Sequence, residues 1–258
     1  MIVKIEHGKS GKMKRFIILL ITVLFVSCQS FDKNTNVIYL VGDSTMANKK
    51  ENKRPETGWG EMLGEYFENG VKIDNHAVNG RSTKSFREEG KWQIVLDKLQ
   101  KNDVVFIQFG HNDSKVKSPE RYASPEQYRA NLVRFVEEVR AKKATPVLLT
   151  PVVRRKFVNG KLQKTHGDYP KMVREVANEM NVTLIDMQQK SEKLLMEKGE
   201  AASEKLYLWL KKGENSNYPK GVSDNTHFSA EGAKIMASLV AESISKSDLA
   251  IKKYLKLL

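Results

Sequence analysis

The chain has 258 residues, of which 40% are hydrophobic and 29% charged, and its formal charge is +13. This length and balance indicate one globular domain with a sizeable core and exclude a mainly disordered chain. The basic residues are spread along the sequence and form no block with interleaved aromatics, so no nucleic acid is expected as a partner. The charge favours either an anionic partner such as an acidic glycan or an ordinary solvated basic surface.

The first 28 residues have the pattern of an export signal. Lys14 and Arg15 precede an apolar run over residues 16–26, which is too short to span a bilayer comfortably. Cys28 follows, and the stretch resembles a bacterial lipoprotein signal in which the cysteine is lipidated. We therefore predict a protein exported and lipid-anchored in the bacterial cell envelope, in the periplasm or at the outer membrane. A plain secretory signal or an uncleaved anchor is the alternative.

These observations divide the chain into a lipoprotein-type signal peptide over residues 1–28, a short linker over 29–36 and one domain over 37–258. The leader contains five basic residues and one acidic residue, so the rest of the chain keeps a net charge of +9. Cys28 is the only cysteine. The predicted domain therefore contains no disulfide and no thiolate metal site.

Short apolar runs alternate with segments of helical periodicity along the predicted domain. We predict strands over residues 37–41, 71–78, 104–109, 146–149 and 182–185. We predict helices over residues 58–67, 92–99, 125–143, 171–180, 192–198, 206–211 and 229–243. Ser229 is the expected N-cap of the last helix, and Trp59 and Trp92 are expected in the core. Polar loops are predicted over 153–169 and 213–223.

The predicted strands are apolar on both faces, which is typical of a parallel sheet covered by helices on both sides. The sequence therefore predicts an α/β fold, a three-layer α/β/α domain around a mostly parallel five-stranded sheet. Ligands bind such sheets beyond the carboxyl ends of the strands. The residues that follow each strand are thus the candidates for a functional site.

Polar, glycine-containing turns follow the first three predicted strands. They place Ser44, Gly80 and Asn112 at one edge of the sheet. Asp224 and His227 precede the last helix and are close enough on one turn for the carboxylate to bond a ring nitrogen, leaving the other nitrogen free as a base. Each residue also has a structural interpretation. The serine can cap an element, the glycine can form a turn, the asparagine can bond local backbone, and the last two can form a surface ion pair.

The blocks "GDSTM", "NGRST", "FGHND" and "DNTHFSAEGA" resemble those of the SGNH (GDSL) hydrolases, in the order found in that family. The resemblance extends from about residue 37 to about residue 245. It implies a flavodoxin-like fold with Ser44 as nucleophile, His227 as base and Asp224 as its orienting partner. It assigns the oxyanion hole to the backbone N–H groups of Ser44 and Gly80 and to the side-chain amide of Asn112. It implies no cofactor and no metal.

The wording of the blocks is similar to rhamnogalacturonan acetylesterases of carbohydrate esterase family 12, which deacetylate pectin backbones. The resemblance therefore implies an acetylated, acidic polysaccharide or oligosaccharide as the substrate. Arg81 is a candidate contact for a uronate carboxylate, and His111 is a candidate residue of the pocket. Alternatives are another acyl ester (acetylated xylan, a sialic acid or a lipid), acetyl transfer to a sugar, and a non-catalytic glycan-binding protein on the same fold.

Overall fold

The computed structural model of the protein describes residues 36–256, and a five-stranded parallel sheet lies at its centre. The predicted signal, with the lipidation site Cys28, lies outside the described residues, as do residues 29–35 of the predicted linker. Within the described range, no helix combines the length and the apolar character needed to cross a membrane.

Five strands form the central sheet in the order β2-β1-β3-β4-β7, and each neighbouring pair is parallel. Two antiparallel hairpins, β5–β6 and β8–β9, lie outside this sheet. The strands are β1 (Asn36–Gly42), β2 (Val71–Asn75), β3 (Val104–Gln108), β4 (Thr145–Leu149), β5 (Phe157–Val158), β6 (Lys161–Leu162), β7 (Thr183–Ile185), β8 (Tyr207–Leu210) and β9 (Val222–Phe228). The predicted α/β class and five-stranded sheet are confirmed.

The first five helices connect successive strands of this sheet, as the predicted alternation requires, and the last two follow its final strand. They are α1 (Trp59–Met62), α2 (Thr83–Glu88), α3 (Lys91–Lys98), α4 (Pro125–Ala141), α5 (Tyr169–Glu179), α6 (Met187–Ser203) and α7 (Ala230–Ser245). Ser229 caps α7 as predicted, because its hydroxyl accepts a hydrogen bond from the Gly232 N–H at 3.1 Å. The helix α2 was not predicted, and α6 extends beyond the predicted 192–198 at both ends.

Both faces of the central strands are buried. Ile38 and Leu40 of β1 pack in one hydrophobic core with residues of α1 and α7, whereas Tyr39 and Val41 pack in a second core with residues of α3 and α4. Each fully buried side chain of this kind contributes about 1.5–3 kcal/mol relative to exposure. Because both faces carry such side chains, the strands appear in the sequence as continuous apolar runs. The predicted core positions Trp59 and Trp92 are buried, one in each layer.

One predicted helix is wrong. The segment 206–211 contains the strand β8, which follows a 3₁₀ turn at Glu204–Leu206 and pairs with β9. The segment is too short for a stable helix, and its Tyr-Leu-Trp-Leu sequence suits a half-buried strand. β8 and β9 are separated by a loop of eleven residues, 211–221, so no local sequence pattern indicates that they pair.

The strand order within the central sheet is that of flavodoxin-like folds, with β7 as the fifth strand. In this order the chain switches direction across the sheet between β1 and β3. The crevice at such a switch point opens at the carboxyl ends of the two strands, which is where ligands bind in open α/β sheets. Ser44 follows β1 and Asn112 follows β3, so both lie at this edge.

Candidate active site

The segment after β2 brings Gly80 to the same edge as Ser44. The predicted strand over 71–78 is shorter than expected, because β2 ends at Asn75. The chain nevertheless continues beside β1, since the N–H of His76 donates to Leu40 O at 2.9 Å and that of Val78 donates to Gly42 O at 3.0 Å. The Asn79–Gly80 peptide is therefore held next to the turn that carries the serine.

Ser44 lies in a tight turn that Asp43 fixes. The Oδ1 atom of Asp43 accepts hydrogen bonds from the backbone N–H and the hydroxyl of Thr45, at 3.0 and 2.9 Å. The Asp43 carbonyl also accepts from the N–H of Ala47 at 3.1 Å. Asp43 is fully buried, and this burial raises its carboxyl pKa against the lowering effect of the bonds from Thr45. The aspartate thus holds the turn that carries the serine.

Asp113 fixes the turn after β3 in the same way. Its carboxylate accepts from the N–H and hydroxyl of Thr83 at 2.9 and 2.5 Å, and from the Gly110 N–H at 3.1 Å. Burial raises the Asp113 pKa to about 7, and the hydrogen bonds from Thr83 oppose that rise. The two buried aspartates therefore set the shape of the loops and are not placed to meet a substrate.

Gly80 has a backbone conformation that other residues adopt at a cost. Its φ is +76°, in the left-handed region that favours glycine. Among the hydrogen bonds within residues 36–256, none uses the backbone N–H of Gly80 or of Ser44. Both N–H groups are thus available to an oxygen atom bound at this edge.

The side chain of Asn112 is buried and held in one orientation. Its Nδ2 donates to Arg81 O at 3.0 Å, and its Oδ1 accepts from the ammonium of Lys115 at 2.9 Å. One Nδ2 hydrogen is left over, since an amide nitrogen has two. The role of Lys115 was not predicted, because nothing in the local pattern marks a lysine three positions after Asn112 as a partner of the amide.

The structure brings Ser44, His227 and Asp224 into one hydrogen-bonded chain. The Nε2 atom of His227 is 2.9 Å from Ser44 Oγ, and its Nδ1 atom is 2.7 Å from Asp224 Oδ2. Asp224 Oδ1 also accepts from the backbone N–H groups of Thr226 and His227, at 2.7 and 3.0 Å. This geometry suits a neutral imidazole that carries its proton on Nδ1 and accepts the serine proton at Nε2.

The pKa of Asp224 reflects its contact with the histidine. Burial alone would raise the pKa, but the hydrogen bond and charge of His227 outweigh it and lower the pKa to about 2. The Asp224 carboxylate of the folded protein is therefore ionised at neutral pH. An ionised carboxylate at this position orients the imidazole and stabilises the imidazolium that forms when the serine proton moves.

A bulge in β9 aims the Asp224–His227 pair at the serine. Leu208 pairs with Asp224 and Tyr207 pairs with Phe228, so three residues of β9 have no counterpart on β8. Bulges of this kind bend a strand and redirect its side chains, and they are common beside active sites. The expected turn before α7 is therefore corrected to a bulged strand, although the side-by-side placement of the two residues was expected.

Arg155 anchors this bulge from outside the hairpin. Its backbone N–H donates to Asn225 O at 2.8 Å and its Nη1 donates to Asn225 Oδ1 at 3.1 Å. Its Nη2 donates to Glu200 O and its Nε to Ser203 Oγ, which ties the bulge to the end of α6. The guanidinium also lies 5.1 Å from the ring centre of Trp209. This arginine lies in the loop predicted over 153–169, and its contact with the bulge was not predicted.

The two predicted substrate-binding residues differ in their surroundings. The ring of His111 is 3% exposed, and its Nδ1 lies 3.0 Å from Nε2 of His166, so the ring is closed off from solvent. The predicted role of His111 as a residue of the substrate pocket is therefore not supported by its position. Arg81 is half-exposed and pairs with Glu89 at 2.9 Å. It lines a groove of about 440 Å³ together with two lysines, three asparagines and three small apolar residues, which are Lys50, Lys53, Asn48, Asn52, Asn79, Ala47, Ala77 and Val78.

Further cations gather beside the oxyanion-hole candidates. The guanidinium of Arg121 is so close to Gly80 that a Cβ there would lie 3.6 Å from Nη1. Burial lowers the pKa of Lys115, and the nearby charges of Arg121 and Arg154 lower it further. Three cations thus surround the Asn112 side of the site, which gives this edge of the sheet a positive potential. In the part of the chain from 36 to 256, no group of three or more His, Cys, Asp and Glu side chains is arranged to hold a metal ion.

The fold and the site together define a class of protein. A flavodoxin-like sheet with a serine, a histidine and an aspartate aligned at its switch point, beside unused N–H donors, can carry out acyl transfer through a serine ester. The chain belongs to the GDSL-like lipase/acylhydrolase family, whose sequence model matches residues 40–235. The protein is accordingly a carboxylic ester hydrolase of the SGNH type.

The curated relatives narrow this class. The chain is 40% identical over 219 residues to the rhamnogalacturonan acetylesterase RhgT of Bacillus subtilis (strain 168). The match covers 84% of this chain and 93% of RhgT. It is 39% identical over 215 residues to the probable rhamnogalacturonan acetylesterase YesY of the same organism, covering 83% and 94% of the two chains. The predicted resemblance to rhamnogalacturonan acetylesterases is therefore confirmed.

A solved structure agrees with the fold. The acetylxylan esterase Axe2 from Geobacillus stearothermophilus superimposes with a TM-score of 0.58 at 19% identity, covering 82% of this chain and 95% of that one. At this level of identity the match supports the three-layer fold and carries no information on substrate.

Proposed function

We propose that this protein is a serine acetylesterase that removes O-acetyl groups from a pectic glycan, most directly rhamnogalacturonan. The observation that carries the proposal is the hydrogen-bonded chain from Ser44 through His227 to Asp224, beside two unused backbone donors. The 40% identity to RhgT supports acetate as the acyl group and rhamnogalacturonan as its carrier.

In the proposed reaction His227 Nε2 takes the Ser44 hydroxyl proton while Oγ attacks the acetyl carbonyl carbon. The carbonyl π bond opens and its electrons collect on oxygen, forming a tetrahedral intermediate. Asp224 stabilises the imidazolium through the 2.7 Å bond to Nδ1. The intermediate collapses to acetyl-Ser44, and the sugar oxygen leaves with the proton that His227 now donates. Water, deprotonated by the same histidine, then releases acetate. The scheme uses only side chains, backbone and water.

The negative oxygen of the intermediate requires donors that are already in place. We assign them to the backbone N–H groups of Ser44 and Gly80 and to the free hydrogen on Asn112 Nδ2. Each such donor is worth about 3 kcal/mol of transition-state stabilisation. The availability of both N–H groups and the fixed orientation of the amide support this assignment.

The acidic character of the proposed substrate is supported by charge. Lys115, Arg121 and Arg154 gather beside Asn112, and Arg81 lines the adjacent groove. A uronate carboxylate is recognised well by a guanidinium, because two parallel N–H groups match its two oxygens. An acidic glycan would therefore be drawn to this edge of the sheet, and the attraction would weaken with added salt.

The test is acetate release from acetylated rhamnogalacturonan, with acetylated xylan and p-nitrophenyl acetate alongside and Ser44→Ala as the inactive control. We expect rapid release from the pectic substrate, slow release from xylan, and no release by the variant. Preferential cleavage of xylan would overturn the substrate, whereas wild-type activity in Ser44→Ala would overturn the mechanism. Binding to the glycan without acetate release would identify a non-catalytic glycan-binding protein.

Salt and a matched pair of arginine variants test the role of charge. Between about 20 and 300 mM NaCl, cleavage of the pectic substrate should slow while cleavage of p-nitrophenyl acetate stays constant. Arg121→Gln should raise KM for the pectic substrate. Arg129→Gln, which removes an arginine of α4 paired with Glu179, should leave it unchanged. Equal behaviour of the two variants would remove Arg121 from the substrate site.

We also propose that the protein is exported and anchored through lipidated Cys28. The basic and apolar leader directly before the only cysteine supports this location. Expression of the full chain in a Gram-negative host with a radiolabelled fatty acid tests it. The wild type should be labelled and should sediment with the envelope, whereas Cys28→Ser should be unlabelled and should not sediment with it. An unlabelled protein in the culture medium would indicate a plain secretory signal.

A further inference from the structure

Lys49 is a buried lysine whose ammonium lies directly behind the candidate site. Its side chain has no solvent exposure. Its Nζ donates to Ser44 O at 2.5 Å and to Asn79 Oδ1 at 2.9 Å, and it pairs with Glu56 Oε1 at 2.8 Å. An ammonium has three N–H donors, so all of them are used. Burying a charge is costly unless it is paired and hydrogen-bonded in this way, so the position is highly specified.

The partners of Lys49 belong to two different loops. Ser44 lies in the turn after β1, and Asn79 directly precedes Gly80 in the segment after β2. These two loops supply the two backbone N–H groups that we assign to the oxyanion hole. A single ammonium therefore holds together the two loops whose relative position decides whether both donors can reach one oxygen atom. An error of about 1 Å in such a position can reduce a rate about a hundredfold.

We propose that Lys49 is the positioning residue of the oxyanion hole, fixing the Ser44 turn against the Asn79–Gly80 segment. This inference rests on the proposed serine-esterase function. Lys49 does not itself act as a base or donor to substrate, because its three N–H groups are committed and its side chain is closed to solvent.

Loss of Lys49 should act on turnover and not on substrate binding. The oxyanion exists in the transition state and not in the bound ester, so loss of the lysine should lower kcat and leave KM nearly unchanged. A residue that only stabilised the fold would instead lower the amount of active enzyme without changing the turnover of the molecules that remain active.

The experiment compares four variants on p-nitrophenyl acetate, with active molecules counted by titration with a phosphonylating reagent. Lys49→Met, which removes the charge at similar length, should lower kcat per active site about a hundredfold. Asn79→Ala keeps the buried charge and removes one tether. It should lower kcat about tenfold, the size expected for losing one hydrogen bond to a charged group. Lys190→Met removes a lysine paired with Glu242 between α6 and α7, and should have wild-type kinetics.

The double variant Lys49→Met/Asn79→Ala completes a cycle. If the two side chains act through one tether, the double variant should be no slower than Lys49→Met alone. Additive losses would overturn the shared role. A Lys49→Met enzyme with wild-type kcat per active site, or one with a raised KM and unchanged kcat, would overturn the proposal. If Lys49→Met does not fold, the test rests on Asn79→Ala, which changes an exposed residue. A wild-type kcat in Asn79→Ala would then overturn the proposal that Lys49 positions the two loops.

The outcomes also separate this inference from the function on which it rests. If Ser44→Ala is inactive and Lys49→Met turns over normally, only the inference about the lysine fails. If Ser44→Ala keeps wild-type activity, the proposed function fails regardless of the lysine variants.

Discussion

The candidate site has two sides that are built in different ways. On one side Ser44, Gly80 and Asn112 follow three chain segments that run together in the central sheet. On the other side Asp224 and His227 lie on a bulge in the β8–β9 hairpin, outside that sheet. The first side takes its geometry from the parallel strands and from the buried Lys49, which bonds two of the loops that follow them. The second side takes its geometry from one arginine that contacts the bulge.

The difference in burial follows from this construction. Ser44 and Asn112 are 8% and 2% exposed, whereas the side chains of Asp224 and His227 are 28% and 27% exposed. Local opening needs less free energy where fewer apolar contacts are broken, so the hairpin is the side that can shift while the core stays folded. The two sides should therefore respond differently to substitution, in catalysis and in stability.

The largest expected effect is on turnover and lies on the hairpin side. His227→Ala should lower kcat at least about 10⁴-fold, because no other base is within reach of Ser44 Oγ among the contacts of the described residues. The melting temperature should change little, since the ring is partly exposed. His76→Ala, which removes a histidine paired with Asp74, should keep full activity. Activity within tenfold of wild type in His227→Ala would place the base elsewhere.

The next effect lies on the sheet side. Asn112→Ala should lower kcat by about 10²–10³ with little change in KM, because it removes one donor to the oxyanion. Lys115→Met should cost less, about tenfold, because the amide stays but loses the 2.9 Å bond that fixes its orientation. The measurement is steady-state kinetics on p-nitrophenyl acetate. A larger loss in Lys115→Met than in Asn112→Ala would contradict an indirect role for the lysine.

The third prediction tests how the hairpin is held. Arg155→Met removes four side-chain hydrogen-bonding and ion-pair partners and should destabilise the protein by about 3 kcal/mol, the cost of breaking a buried charged network. The turnover of the folded variant should fall about tenfold, because the bulge is no longer anchored. Urea unfolding and kcat measure the two effects separately.

Arg174→Met is the matched control for that variant. It removes an arginine that is about one-third exposed and bonds Asp186 and Gln188, neither of which lies in the hairpin, so it should cost about 1 kcal/mol and no activity. If Arg155→Met loses stability and keeps wild-type turnover, the hairpin positions its histidine without the arginine.

The sheet side was predictable from the sequence because each residue follows its strand directly. Ser44 comes two residues after the end of β1, and Asn112 four residues after the end of β3. Parallel strands bring their carboxyl ends to one edge, so local patterns suffice to place these residues together. Only the length of β2 was misjudged. Its predicted last residues continue along β1 without forming a regular strand.

On the hairpin side the roles of the residues were predicted, but the secondary structure that carries them was not. The spacing of Asp224 and His227 indicated a bonded pair, but β8 was assigned to a helix because its pairing partner lies beyond a loop. Lys49, Lys115 and Arg155 were not singled out at all. Lysine and arginine are mostly exposed, so no local pattern marks Lys49 and Arg155 as buried or Lys115 as a partner of Asn112, and only the folded structure brings their partners to them.

The smallest expected effect is the pH dependence of stability that Asp224 contributes. Its pKa is lowered from the ordinary value of 3.8 to about 2, so the folded protein holds the carboxylate ionised more strongly than the unfolded chain does. The stability it contributes is fully present above about pH 4 and is lost as the pH falls through about 2. Because the carboxylate is partly exposed, we expect about 1 kcal/mol.

Urea unfolding of wild type and Asp224→Asn from pH 5 to pH 2 measures this contribution. The variant should be less stable at pH 5, and the two stability curves should converge as the pH approaches 2. Asp248→Asn, which changes an exposed carboxylate near the C-terminal end of α7, should follow the wild-type curve throughout. Parallel curves for wild type and Asp224→Asn would mean that the Asp224–His227 bond orients the imidazole without stabilising the hairpin. The two sides of the site would then differ in geometry alone.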